Sequence, residues 1–412
     1  MNGKRASLRE RVLYIPRMSF EGSRCMAAAF RSIGIDARPS PEGDTATYEL
    51  ARCHLSGDEC LPEVITLGNF LKVTQQPDYD PGRTAFFLPT SDGPCRFGQY
   101  LHLARKIFRQ RKEDEVLFFS PSSTSGYEDI GWEASDLLRT AWRAVIVSDI
   151  LRKLLLKTRP YEQRQGDTDA LFARSMDRLC EAIASPDLSH RLRLEKIVRA
   201  LENARDQFRA IPRHLEVNKP LIGVVGEIFC RLNDFSNDFI LRMIEKLGGE
   251  AWMSDVAEWV WYTNDEEIVR LKRTGRWLSV QMLKARIKNH ILHRDEIRLL
   301  APFAEDFRGY EEPDVNEILR RSEPYLPRDR AHGEMVISVG KAIWYYEKGA
   351  QGVIDVSPFT CMNGIVCESV YPRVSRDLGD FPIRIFYFDG LQSNLERDLE
   401  IFMELARNYS RS

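Results

Sequence analysis

Residues 84–111 read TAFFLPTSDGPCRFGQYLHLARKIFRQR. The stretch opens on a short apolar run, Thr84 to Pro89, too short for a helix and rich in aromatics, which predicts a buried strand. Ser91-Asp92-Gly93-Pro94 then supplies turn chemistry. From Phe97 on, Leu101, Ala104 and Ile107 recur at helical spacing, so an amphipathic helix follows. A strand that feeds a helix through a tight turn is half of a βαβ unit, and such units build parallel sheets. A single thiol, Cys95, stands at the bend with Arg96 beside it.

The same alternation extends in both directions. VLYIP (Val12–Pro16) and EVLFFSP (Glu115–Pro121) read as strands, and GSRCMAAAFRSIG and PEVITLGNFLKVTQ as helices. Residues 126–215 change character to long charged amphipathic runs such as SDLLRTAWRAVIVSDILRKLLLKT, expected as a bundle-like helical insert. PLIGVVGEIF, GVIDVSPF and IRIFYFDG are again strands, DFILRMIEKLGGEAW and ERDLEIFMELARNY helices, and residues 251–345 mostly helical. The expected architecture is α/β, with two flavodoxin-like parallel-sheet lobes and helical segments between and around them. Its divisions are residues 1–125, 126–215 and 216–412.

At 412 residues, more than one domain is expected. A net charge of -2 gives no global attraction to nucleic acid or to an anionic membrane. No apolar run is long enough to span a bilayer, and the basic N-terminus carries too short an apolar part for a signal peptide. A cytoplasmic protein is the expectation. Eight cysteines without a secretion signal do not suggest a disulfide framework. There is no CxxC and no HExxH among them or the seven histidines.

Three cysteines share one kind of place. Cys95 follows a strand and precedes a helix, Cys361 follows GVIDVSPF and opens MNGIVCESVYP, and Cys60 precedes Leu61-Pro62 at a helix start. Unbonded N–H groups and the dipole at a helix N-terminus favour a thiolate, and thiolates hold iron–sulfur clusters or zinc. Buried structural thiols are the competing interpretation. Cys180 and Cys25 lie within helical patterns. Cys53, Cys230 and Cys367 are secondary candidates.

The blocks SGDECLPEVITLGNFLK, SDGPCRFGQY, VVGEIFCRLNDFSNDFILRMIEKLGGE, SPFTCMNGIV and FYFDGLQSNLERDLEIFMELARNY, in this order, resemble the 2-hydroxyacyl-CoA dehydratase and benzoyl-CoA reductase superfamily. The nearest likeness is to its dehydratase-like members related to CoA-enzyme activases. The resemblance spans both α/β segments and implies a [4Fe-4S] cluster on Cys60, Cys95 and Cys361, with one iron lacking a protein thiolate. It also implies low-potential electrons from a separate ATP-dependent iron–sulfur activator, reduction of a substrate such as a CoA thioester, and a homo- or heterodimer. A double-cubane [8Fe-9S] cluster, drawing on Cys53, Cys230 or Cys367, is a variant of the same reading. A non-catalytic electron relay or scaffold is another. The chain has no GxxxxGK[ST] of its own, so it would accept the electron.

Around these thiols stand Arg96, Glu227 and Arg231 as candidate catalytic residues, each readable also as a partner in an ion pair, and Gly364 as a point of close backbone approach to the cofactor. Gln99 and Tyr100 fall in the next turn after Cys95. Asn233 and Asn237 suit either a pocket wall or a helix cap. Asn363 follows Cys361. His332 and Glu334 suit acid–base chemistry or capping. Trp252, Trp259, Trp261 and Trp277 suit a core or an interface.

Overall fold

A computed structural model describes residues 7–91, 93–121, 134–214, 216, 218–391 and 394–409. The basic first residues and the start of the expected helical insert, 126–133, lie outside them. Two four-stranded, all-parallel sheets organise the chain. The first holds β1 (Val12–Ile15), β2 (Ala37–Pro39), β3 (Thr84–Phe87) and β4 (Leu117–Phe119), in the order β2-β1-β3-β4. The second holds β5 (Leu221–Gly226), β6 (Glu250–Met253), β7 (Gly352–Pro358) and β8 (Ile383–Phe388), in the order β6-β5-β7-β8. The two orders are the same, and both are doubly wound. Tyr14 pairs with Phe86 and Phe86 with Phe118 in the first sheet, as Val225 pairs with Asp355 and Val356 with Phe386 in the second.

These strands are apolar throughout because helices cover both faces of a parallel sheet. On one face of the first sheet lie α2 (Thr45–Arg52), α3 (Leu61–Thr74) and α4 (Phe97–Gln110), with Phe70, Phe86, Phe108 and Phe118 in ring contact at the centre. The other face is closed by α1 (Phe20–Arg31) together with α5 (Ala134–Thr158), α6 (Asp167–Ala184) and α7 (His190–Arg209), which share one core with Leu13, Ile15, Ala85 and Phe87. The helical insert is thus the second cover of the first sheet, in one core with it. Around the second sheet run α8 (Ile228–Leu232), α9 (Ile240–Lys246), α10 (Val256–Arg273), α12 (Val315–Ser322), α13 (Glu334–Glu347), α14 (Met362–Asp377) and α15 (Leu395–Asn408), while α11 (Val280–Leu300) packs on α5, α7 and α10. Among the described residues no helix is long and apolar enough to cross a membrane.

β5 ends on Gly226, whose φ of +116° lies in the left-handed region. A Cβ there would fall 2.2 Å from the carbonyl oxygen of Val356, so the chain leaves the sheet through a turn that only glycine fits. That turn delivers Glu227 to the carboxyl edge of the sheet, at the switch point between β5 and β7.

Candidate functional site: three thiols around a carboxylate

The loops that carry the three cysteines come from strand ends or helix starts. Cys60 is the N-cap of α3 and Cys361 the N-cap of α14, both with extended backbone; Cys95 precedes α4 by one residue, Arg96 holding the cap position. Thr360, before Cys361, is held at φ 63°, an uncommon conformation for a β-branched residue that turns the chain from β7 into α14. Its hydroxyl accepts from Arg96 Nη1 at 3.1 Å, which ties the loop after β3 to the loop after β7. The lobes also meet where Asn233 Nδ2 donates to the Arg17 carbonyl at 2.8 Å.

Glu227 sits where all three thiols feel it. Burial pushes Cys60 up to about 11 and Cys361 up to about 12, and partial desolvation raises the otherwise exposed Cys95; the charge of Glu227 adds to each of these shifts. Three cysteines far apart in sequence therefore come within electrostatic reach of one carboxylate. Opposing the shifts are backbone N–H groups at the helix starts: Glu63 for Cys60, Phe97 for Cys95, and Gly364 and Asn363 for Cys361. The Cys60 sulfur also lies 2.7 Å from the Tyr100 hydroxyl.

Glu227 is itself fixed by the amides of Phe229 and Cys230, at 3.0 and 2.7 Å. Burial raises its carboxyl, against those two N–H groups and Arg231. Glu334, at the start of α13, is nearly buried; it accepts from the Ile228 amide at 2.9 Å and from Asn363 Nδ2 at 3.1 Å. Burial and then Glu227 push it up to about 8. Asp355 on β7 accepts from the Tyr371 hydroxyl at 2.7 Å, its other oxygen lacks a partner, and burial lifts it to about 6. Glu63, buried beside Cys60, is lifted to about 7 by burial and Glu59, against Arg96. Arg231 is buried, gives one N–H to the Gly226 carbonyl at 3.3 Å, and keeps its Nε without a partner.

Arg96, Glu227, Arg231 and the three cysteines thus occupy one region. Gly364 serves packing: a Cβ there would lie 2.5 Å from Ser357 Oγ and 2.9 Å from the Tyr387 ring, so glycine lets α14 press onto β7 and β8. Asn233 and Asn237 are caps: Asn233 Oδ1 accepts from Ser236, and Asn237 bonds the Cys230 and Arg231 carbonyls and the Ile240 amide. Gln99 points outward, and His332 faces Glu266 at 3.7 Å on the surface. Cys53 is exposed against the Glu49 carbonyl, Cys367 is buried against that of Met335, and Cys25 and Cys180 belong to the first core. Cys230 is buried, with its sulfur toward the Ser236 carbonyl, yet it feels Glu227, Cys361 and Cys60. Trp252 is core, whereas Trp277 is 60% exposed.

Among the described residues, no three His, Cys, Asp or Glu side chains converge closely enough for a single metal ion. A cluster asks for less, since it distributes its thiolates over separate irons. The donor set is sulfur alone, none of it in a disulfide, with each thiol at or just before a helix start. No family model matches the chain, and no curated protein matches it.

Proposed function

We propose that the chain is an iron–sulfur redox protein of the 2-hydroxyacyl-CoA dehydratase and benzoyl-CoA reductase type, with Cys60, Cys95 and Cys361 as the ligands of a [4Fe-4S] cluster. What supports this most is that one carboxylate, Glu227, lies within electrostatic reach of all three thiols. When bound, the cluster supplies one-electron reduction at an iron left open to substrate. The chain's own part is to hold three sulfurs at three helix starts, where backbone N–H groups stabilise negative charge. Glu334, its carboxyl pushed up to about 8, would serve as a proton donor to a substrate oxygen. Arg231 offers its free Nε–H to a bound anion.

Electrons would come from an ATP-dependent iron–sulfur activator. Phe359, Met362, Ile365 and Leu391, on the loops and helix start that follow β7 and β8, are exposed around Cys361 and suit the approach of that partner or of a second chain. The exposure of Cys95 favours a second reading, in which the chain relays electrons without binding a substrate.

Anaerobic reconstitution with iron and sulfide tests the proposal. About four irons and four sulfides per chain, with the broad visible absorption of a cluster, are expected, and each of C60A, C95A and C361A should lower the yield. A colourless chain, or three alanine variants that load like the parent, overturns it. A CoA thioester that perturbs the cluster's electron paramagnetic resonance separates the enzyme from the relay.

A further inference from the structure

A cavity of about 520 Å³ opens at the other edge of the second sheet, where the ends of α5 and α7 meet Glu250, the first residue of β6. The thiols stand at the carboxyl edge, so this is a separate place. Its volume is in the range of sites for small organic ligands. Leu154, Phe208 and Phe307 give it an apolar wall, and Lys157, Arg205, Arg209 and Arg213 give it charge.

The carboxylates nearby are already engaged. Asp306 is forked with Arg209 at 2.8 Å on both oxygens. Glu250 takes hydroxyls from Tyr161 and Tyr310, at 2.6 and 2.9 Å. Glu216 faces His214 at 3.3 Å. Arg205 reaches the Pro302 carbonyl and Asp206. Among the described residues, Lys157 and Arg213 have no ion pair; the Lys157 ammonium rests 3.0 Å from the centre of the Tyr310 ring. Burial drives Lys157 down to about 8, Glu250 opposing and Lys153 and Arg213 adding to the fall. A partly buried cation of this kind gains most from an anion that brings its own charge into the cavity.

We propose that this cavity binds a small organic phosphate, its phosphoryl group on Lys157 and Arg213 and its organic part against Leu154 and Phe208. An ammonium beside a guanidinium fork matches phosphoryl oxygens, and the cavity is too large for a bare phosphate ion to fill.

Calorimetric titration of the full chain with ADP, pyrophosphate and adenosine tests this. One saturable site per chain for ADP or pyrophosphate is expected, weakened ~10-fold or more by R213Q and again by K157M, with no heat from adenosine. Arg213 lies outside the helices, and unchanged circular dichroism of each variant assigns the loss to the site. Failure of both phosphorylated probes to saturate, or equal binding by the parent and the K157M/R213Q double variant, overturns the proposal. Tighter binding of single-stranded DNA than of ADP does so too. The result does not depend on the cysteines, so loss of iron leaves it standing.

Discussion

Two groups of buried ionisable side chains lie within this fold, and they are built in opposite ways. One joins α1, α5, α10 and α13. There Arg152 pairs with Glu21 and with Asp149, Lys153 with Asp255 at 3.0 Å and Glu312 at 2.9 Å, and Lys341 with Glu258 at 3.0 Å and with Glu312. Each carboxylate touches a cation. Burial alone would raise Glu312, yet Lys153 and Lys341 hold it down at about 2. In the other group, around the thiols, Glu227, Glu334 and Asp355 meet amides and a hydroxyl, with no ion pair among the described residues. Burial raises all three carboxyls, and the charge of Arg231 opposes it at longer range. Ion pairing ties the first group into the structure, although burial still lifts Asp149 to about 7 and raises Asp255 and Glu258; the second group is held by neutral donors alone, an arrangement common at reactive sites.

Substitutions and pH can break this comparison. The largest effect is expected in cluster loading. In the metal-free chain all three thiols are protonated near neutrality, and three thiolates must form, so the loading equilibrium steepens by up to about a thousandfold per pH unit. Iron retained after reconstitution at pH 6.5 and 8.5 checks this, and equal retention at both would show that the thiols are not the ligands. Next comes K341M. It strands Glu258 in the interior, leaves Glu312 with Lys153 alone, and should cost about 3–5 kcal/mol, read from the denaturant midpoint of the metal-free chain.

E334Q should act less strongly and with the opposite sign. The native carboxyl, at about 8 against its usual 4.5, retains a proton that the unfolded chain releases, so native stability falls as pH rises through that window. Glutamine removes that loss, and Asn363 Oδ1, which has no partner, can accept its amide. Relative to the parent, E334Q should gain at least ~1 kcal/mol between pH 5 and 8, seen as diverging denaturation midpoints. The smallest effect on stability is R96Q, within ~0.5 kcal/mol because the residue is exposed. In the loaded protein it should lower the reduction potential, since a cation beside Cys95 is lost. A potential unmoved by R96Q would leave Arg96 with only its contact to Thr360.

Strand and helix alternation, and the two-lobe arrangement, were legible because long apolar runs and helical spacing carry them. Two strands were not. β2 is three residues ending in proline, with no alternation to reveal it, and β6 follows Gly248-Gly249 so closely that Glu250 to Trp252 read as the tail of a helix. The cysteine loops were legible from turn residues and helix starts. Glu334 was only half legible. An acid before an apolar run looks like a capping residue, and its partners, the Ile228 amide and Asn363, are 106 and 29 positions away. Gly364 read as a point of close backbone approach, and its amide does face Cys361; that its missing Cβ also makes room for Ser357 and Tyr387 is something no local pattern discloses.

The matching strand orders give the two halves corresponding helix starts. If β1 to β4 are laid over β5 to β8, the helix before the third strand is α3 in one half and α13 in the other, and the helix after it is α4 or α14. The four corresponding positions then hold Cys60, Glu334, Cys95 and Cys361. In both halves the helix that follows the third strand starts beside a thiol, Cys95 or Cys361, while the helix that precedes it starts beside sulfur in one half and beside a carboxyl pushed up to about 8 in the other.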